Sequence, residues 1–136
     1  MNNQEMREDD QVYDPFSQRI DLAVTELSPS YTRVEKTVTP EDVNPVGVPH
    51  GGLYFSMADT ACGRALMAAG QRAVTVNATY NFFRSARIGD HLTAEAREAK
   101  GGKTVCVYEV QITNQDGTLL GTGTFTFYKL DQKLGG

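Results

Sequence analysis

One stretch of the chain, Leu53 to Ala69, is long and regular enough for a helix of several turns, with Gly63 as its only glycine and no proline. Ala58, Ala61, Cys62, Ala65, Leu66 and Ala69 recur along it at three- and four-residue spacing, which predicts a broad buried face of small side chains. Nearly everything after it has the two-residue rhythm of strands. A lone helix with two strands before it and four after it has one economical packing solution, in which an antiparallel sheet curls around the helix and each strand turns one side inward. The chain therefore belongs to the α+β class, and its 136 residues suit one domain with one core.

Ile20 to Leu27 and Tyr31 to Thr39 flank the turn signal Ser28-Pro29-Ser30 and predict a hairpin. Thr39 to Pro49 reads as a proline-bearing loop into the helix. After Gly70, residues 73–82 alternate, with Val74, Val76, Ala78, Tyr80 and Phe82 on one side and Thr75, Asn77, Thr79 and Asn81 on the other. Gly89-Asp90, Gly101-Gly102 and Asn114 to Gly117 then separate strands over 91–100, 104–113 and 118–129. Three short connections in a row predict an antiparallel meander continuing from 73–82. An open sheet edge invites pairing with a second copy. Residues 1–18 read as a polar, acidic extension, loose or weakly helical, with Tyr13, Pro15 and Phe16 as a docking point, and residues 19–136 as the domain.

The net charge of -4 is concentrated at the front, where Glu5, Glu8, Asp9, Asp10 and Asp14 outweigh Arg7 and leave the remaining chain neutral. That distribution argues against a nucleic-acid partner. Cys62 and Cys106 lie in apolar periodic segments without metal-ligand spacing, so neither a disulfide framework nor a metal site is expected, and no cofactor is called for. The helical stretch is short and carries Asp59 and Arg64, and no apolar leader precedes it, which predicts a cytoplasmic protein with no membrane partner.

Candidate chemistry gathers at the helix entry, His50-Gly51-Gly52, and at Asp59 inside the helix. A helix N-terminus presents backbone N–H groups and the positive end of the dipole to an incoming carbonyl, and a glycine there lets a ligand approach the backbone closely. Asp59 is a poor mid-helix residue and costly to bury unpaired, so something must compensate for it. Asn44, ahead of Pro45, fits a turn. Arg84, Arg87, Lys100 and Lys103 at strand ends suit either solvent or the phosphates of a nucleotide-bearing ligand.

The run His50-Gly51-Gly52 followed by Phe55-Ser56-Met57-Ala58-Asp59-Thr60-Ala61 resembles the helix signature of hotdog-fold acyl-CoA thioesterases, in particular the phenylacetate-degradation (PaaI-like) branch. The similarity continues through Phe83-Arg84-Ser85-Ala86-Arg87-Ile88-Gly89-Asp90, Gly102-Lys103-Thr104 and the Gly117 turn, and spans roughly residues 20–129. The resemblance implies a curved sheet of about six strands around one central helix, assembled as dimers or tetramers, and hydrolysis of an acyl-coenzyme A thioester. It places the catalytic carboxylate at Asp59 and the carbonyl-polarising N–H at Gly51. His50 and Asn44 would shape the carbonyl-binding end, Thr75 would stand near the attacking water, and Gly52, Arg84, Arg87 and Lys103 would bind substrate.

Gly51 and Asp59 are eight positions apart, which is ~12 Å along one helix, so both cannot touch one carbonyl. If both are catalytic, they must come from different subunits of a twofold dimer or dimer of dimers, with active sites at the subunit interface. Plainer readings stand beside these. His50 fits a helix cap, Asp59 a carboxylate satisfied by backbone or by an arginine, and the alternation of 73–82 turns Thr75 away from its own helix. Cys62 fits an inert buried thiol. Two other functions share the fold: a non-catalytic acyl-CoA-binding protein, and a dehydratase or hydratase, whose histidine loop is not found here. Asp59 acting as base and Asp59 acting as nucleophile are equally compatible with the sequence.

Overall fold

The computed structural model describes residues 12–130. A short helix, α1 (Pro15–Arg19), precedes the hairpin β1 (Ala23–Leu27) and β2 (Tyr31–Thr37). A 3-10 turn at Pro40–Asp42 leads to α2 (Gly51–Ala68), followed by β3 (Ala73–Phe82), β4 (His91–Lys100), β5 (Val105–Thr113) and β6 (Leu119–Lys129). All six strands form one antiparallel sheet in the order β1-β2-β4-β5-β6-β3, and α2 packs against every strand. This is the helix-in-sheet arrangement expected. Met57, Ala58, Ala61, Cys62 and Ala65 are wholly buried against Val34, Leu92, Ala94, Ala96, Cys106, Ile112 and Phe125. The small residues of α2 let its axis lie close to the strands, where larger side chains would hold it off.

Three expectations need correction. The meander runs only through β4, β5 and β6, because β3 pairs with β6 at the far edge. Residues 83–90 carry the chain from that edge past the end of β6, where Phe83 and Arg84 donate backbone hydrogen bonds to the Leu120 carbonyl, and on to β4. A short linker fits two geometries, adjacent strands or passage across a sheet end, and spacing alone does not separate them.

The second correction concerns phase. A β-bulge between Thr75 and Asn77 interrupts the pairing of β3 with β6. It reverses the alternation, so Val74 and Val76 are about half exposed while Ala78 and Tyr80 pack on the core. Thr75 is thereby turned toward α2.

The third is the N-terminal segment. Residues 1–11 lie outside the described residues; Pro15–Arg19, partly within the stretch expected to be loose or weakly helical, forms a short helix with Asp14 as N-cap, and what differs is the docking point. Its docking runs through buried Ser17, whose hydroxyl lies 3.2 Å from that of Thr60, and through Asp14, 3.8 Å from the guanidinium of Arg64. Tyr13 and Phe16 remain exposed.

Candidate active site

The loop before α2 is anchored from beneath. Lys36 and Asp42, both buried or nearly so at their side chains, form an ion pair of 3.3 Å, and the same Asp42 oxygen accepts the Thr39 backbone N–H at 2.8 Å. The Asp42 carbonyl in turn accepts the His50 N–H at 2.8 Å. Asn44 folds the intervening turn, its side-chain oxygen accepting the N–H groups of Val46, Gly47 and Val48. Asn44 therefore acts as a turn former here. Sequence reasoning missed Lys36 and Asp42, although Thr39-Pro40-Glu41-Asp42 carries the cap, proline and acid of a helical start.

His50 caps α2. Its Nδ1 accepts the Gly52 N–H at 2.8 Å, which leaves Nε2 to carry the proton of a neutral ring. A Cβ on Gly52 would lie 3.1 Å from that Nδ1, a tight contact that would press on the cap. Gly51 differs. Its φ is not positive, and an added Cβ would meet only the Phe82 ring at an ordinary 3.5 Å. Neither backbone nor packing demands a glycine at position 51, and among the described residues its N–H, the first of the helix, has no acceptor.

Two turns further on, Asp59 lies partly exposed on α2 and accepts a hydrogen bond of 2.7 Å from the Thr75 hydroxyl to Oδ1. The bulge makes this contact possible. Among the described residues Oδ2 has no hydrogen-bond partner, so one carboxylate oxygen is held while the other is open. Asp59 and Gly51 share one uninterrupted helix and lie ~12 Å apart along it.

Gly51 opens onto a cavity of about 230 Å³ that it shares with Pro49, Tyr54, Phe82, Phe83 and Arg84. Tyr80, Phe82 and Tyr54 form an aromatic cluster on its inner side, with Tyr80–Phe82 centroids at 4.7 Å and Tyr54–Phe82 at 5.8 Å. His50 and Gly52 face a different cavity, about 280 Å³, beside Phe16, Ile20 and Leu53. Arg87 sits in the exposed 83–90 connection, its N–H bonded to Asp90. Lys103 lies at the opposite end of the sheet from Arg84, in the turn where Lys129 pairs with the first residue of β3. One subunit thus gathers Gly51 with Arg84, and Asp59 with Thr75, but not the two pairs together. Burial pushes the Cys62 thiol far up, so it stays protonated and inert. No helix among the described residues is long and apolar enough to cross a membrane.

Residues 46–120 match the thioesterase superfamily. The chain is 34% identical over 102 residues to acyl-coenzyme A thioesterase PaaI of Escherichia coli, covering 75% of this chain and 73% of that one. The structure of E. coli PaaI superposes with a TM-score of 0.82 at 29% identity, over 89% of this chain and 88% of that one. A hypothetical thioesterase protein of Streptococcus pneumoniae, solved with coenzyme A, gives 0.79 at 28% identity, over 82% and 88%. That protein has also been solved with an aspartate and, separately, a threonine changed to alanine, and the two positions are sixteen residues apart.

Proposed function

From a chain that belongs to the thioesterase superfamily, we propose an acyl-CoA thioesterase that uses Asp59 and Gly51 in a site shared between two subunits. The observation that carries this reading is the 2.7 Å bond between Thr75 and Asp59, sixteen residues apart, on a partly exposed helix surface. The spacing equals that of the aspartate and threonine altered in the pneumococcal relative, and coenzyme A occupies that protein.

In the proposed reaction the thioester carbonyl points at the Gly51 N–H, at the positive end of α2. Thr75 fixes Oδ1 of Asp59, and Oδ2 takes a proton from water as the water oxygen attacks the carbonyl carbon. The resulting oxyanion is held by the Gly51 N–H. Collapse of the tetrahedral intermediate breaks the C–S bond, and the leaving thiolate takes the proton from Asp59, giving the free acid and CoA thiol. Direct attack by Asp59 would instead give an anhydride that water opens. Arg84, in the cavity of Gly51, is suited to the CoA phosphates. His50 and Gly52 support the amide by capping the helix, and Arg87 and Lys103 remain auxiliary cationic candidates.

A panel of acyl-CoA esters assayed by thiol release tests the reading, with Asp59→Asn as control. The amide keeps an acceptor for Thr75, so the fold should survive while kcat falls by about a hundredfold or more. Full activity in D59N, or CoA binding without cleavage of any ester, would sink the hydrolase and favour a binding protein. After a single turnover in ¹⁸O-water, label in the Asp59 carboxylate identifies the anhydride route with water opening the anhydride at the Asp59 carbon, an outcome that general-base catalysis does not produce.

A further inference from the structure

Tyr54 stands about one turn into α2, three positions after Gly51, and is 4% exposed. Its phenolic oxygen accepts the backbone N–H of Ala86 at 3.0 Å, in a setting buried at both ends. Ala86 is itself 1% exposed and is the one buried residue of the 83–90 connection. The next residues back along the chain, Ser85, Arg84 and Phe83, form one wall of the Gly51 cavity, and Pro49 and Gly51 form the other. The Tyr54 side chain leans toward the helix N-terminus, as long helical side chains do. It therefore ties the two walls together from below, joining the helix that carries the amide to the segment that carries the guanidinium.

We propose that Tyr54 is a positioning residue for coenzyme A: by holding Ala86 it fixes Arg84 at a set distance from the Gly51 amide, so that the phosphate end and the thioester end of one ligand are registered together. This rests on the reading that CoA binds at this cavity. Arg84 is exposed and, among the described residues, its backbone is tethered only by its own N–H to Leu120, so the side chain needs a rigid base to act as a phosphate contact. A phenylalanine at position 54 keeps the ring packing with Phe82 but leaves the Ala86 N–H buried without its acceptor, which loosens the segment rather than the core.

The test is titration calorimetry of free CoA at several salt concentrations with the full chain, Y54F, R84A and the double variant. The expected result is a roughly tenfold weaker Kd in Y54F and in R84A, with the salt dependence flattened in both, and no further loss in the double variant. Amide exchange should quicken at residues 83–86 of Y54F and stay unchanged in β4–β6. A purely structural Tyr54 would leave the salt dependence as steep as in the parent. The proposal is overturned if Y54F keeps the parent's affinity and salt dependence, if the losses in Y54F and R84A simply add, or if exchange at 83–86 is unmoved. A parent protein that binds no CoA is a separate result, and it removes the acyl-CoA reading itself.

Discussion

Glu35 lies where β1, β2 and β4 meet on the outer face of the sheet. One carboxylate oxygen is 2.6 Å from His91 Nε2, and the other is 2.5 Å from the Thr25 hydroxyl and 3.1 Å from Arg33. Burial pushes this carboxyl up, but the hydrogen bonds from His91 and Thr25 and the charge of Arg33 outweigh it, and the net shift is below the ordinary 4.5. A folded-state value below the unfolded one contributes stability above pH about 4.5, and that contribution is lost as pH falls through the depressed value. Urea unfolding between pH 7 and pH 3 should show this loss, and Glu35→Gln should remove that part of the slope. At the helix entry, Gly52→Ala forces a Cβ against the His50 ring and should cost about 1 kcal/mol of stability, read as a lower urea midpoint. Thr75→Val removes the donor to Asp59 and should lower kcat by about ten- to a hundredfold with little change in unfolding, measured by thiol release and circular dichroism. Residue identities at these points were readable, but their partners were not. His91 follows a turn and reads as surface, and nothing in its neighbours announces Glu35, fifty-six positions away.

At the scale of elements, β3 is the instructive case. Its sequence alternates without a break, and its length was legible to the residue, because Gly70 stands before it and the alternation ends where Phe82 is followed by a second phenylalanine. Its phase was not legible, because a bulge inserts one residue without changing the alternation that a reader sees. The partner strand shows why Tyr80 must sit where it does. Gly121 and Gly123 of β6 leave room for it, and a Cβ on Gly121 would collide with the Tyr80 hydroxyl and the Asn81 carbonyl. Gly121→Ala should therefore destabilise by about 3 kcal/mol, more than a surface substitution, and the thermal midpoint reports it. The helix was the most legible element of all. Its small-residue spacing announced the buried face; its start moved from Leu53 back to Gly51, once His50 was seen to cap it, and its end from Ala69 to Ala68, with Ala69 as C-cap.

At the scale of the whole molecule, the described chain leaves β3 as a free edge with Val74, Val76 and Phe82 exposed along it. An apolar edge of this length is a natural pairing surface for a second copy. The proposed split of the active site can be tested by complementation. Gly51→Pro deletes the amide hydrogen at the first helical position, where proline is tolerated, and His50 already has the extended backbone that a following proline requires. G51P and D59N should each be inactive as homodimers. Unfolded together and refolded at equal amounts, they should regain about a quarter of the parental activity, since half the dimers are mixed and each mixed dimer has one intact site of two. No recovery would place both groups in one chain's site, which the length of α2 forbids, and so would remove one of them from the chemistry. The overall architecture was legible because a single helix and six strands admit few packings. The order of strands was not, since the turn lengths say nothing about which edge a linker crosses.

The eight-position separation of Gly51 and Asp59 along the helix also bears on how such a chain can evolve. In a site shared between subunits as proposed, a tandem duplication would let one half lose its aspartate and the other its glycine with one working site still present. The surface of the vacated site is then released to drift toward a new ligand, a route closed to enzymes whose reacting groups all lie in one chain.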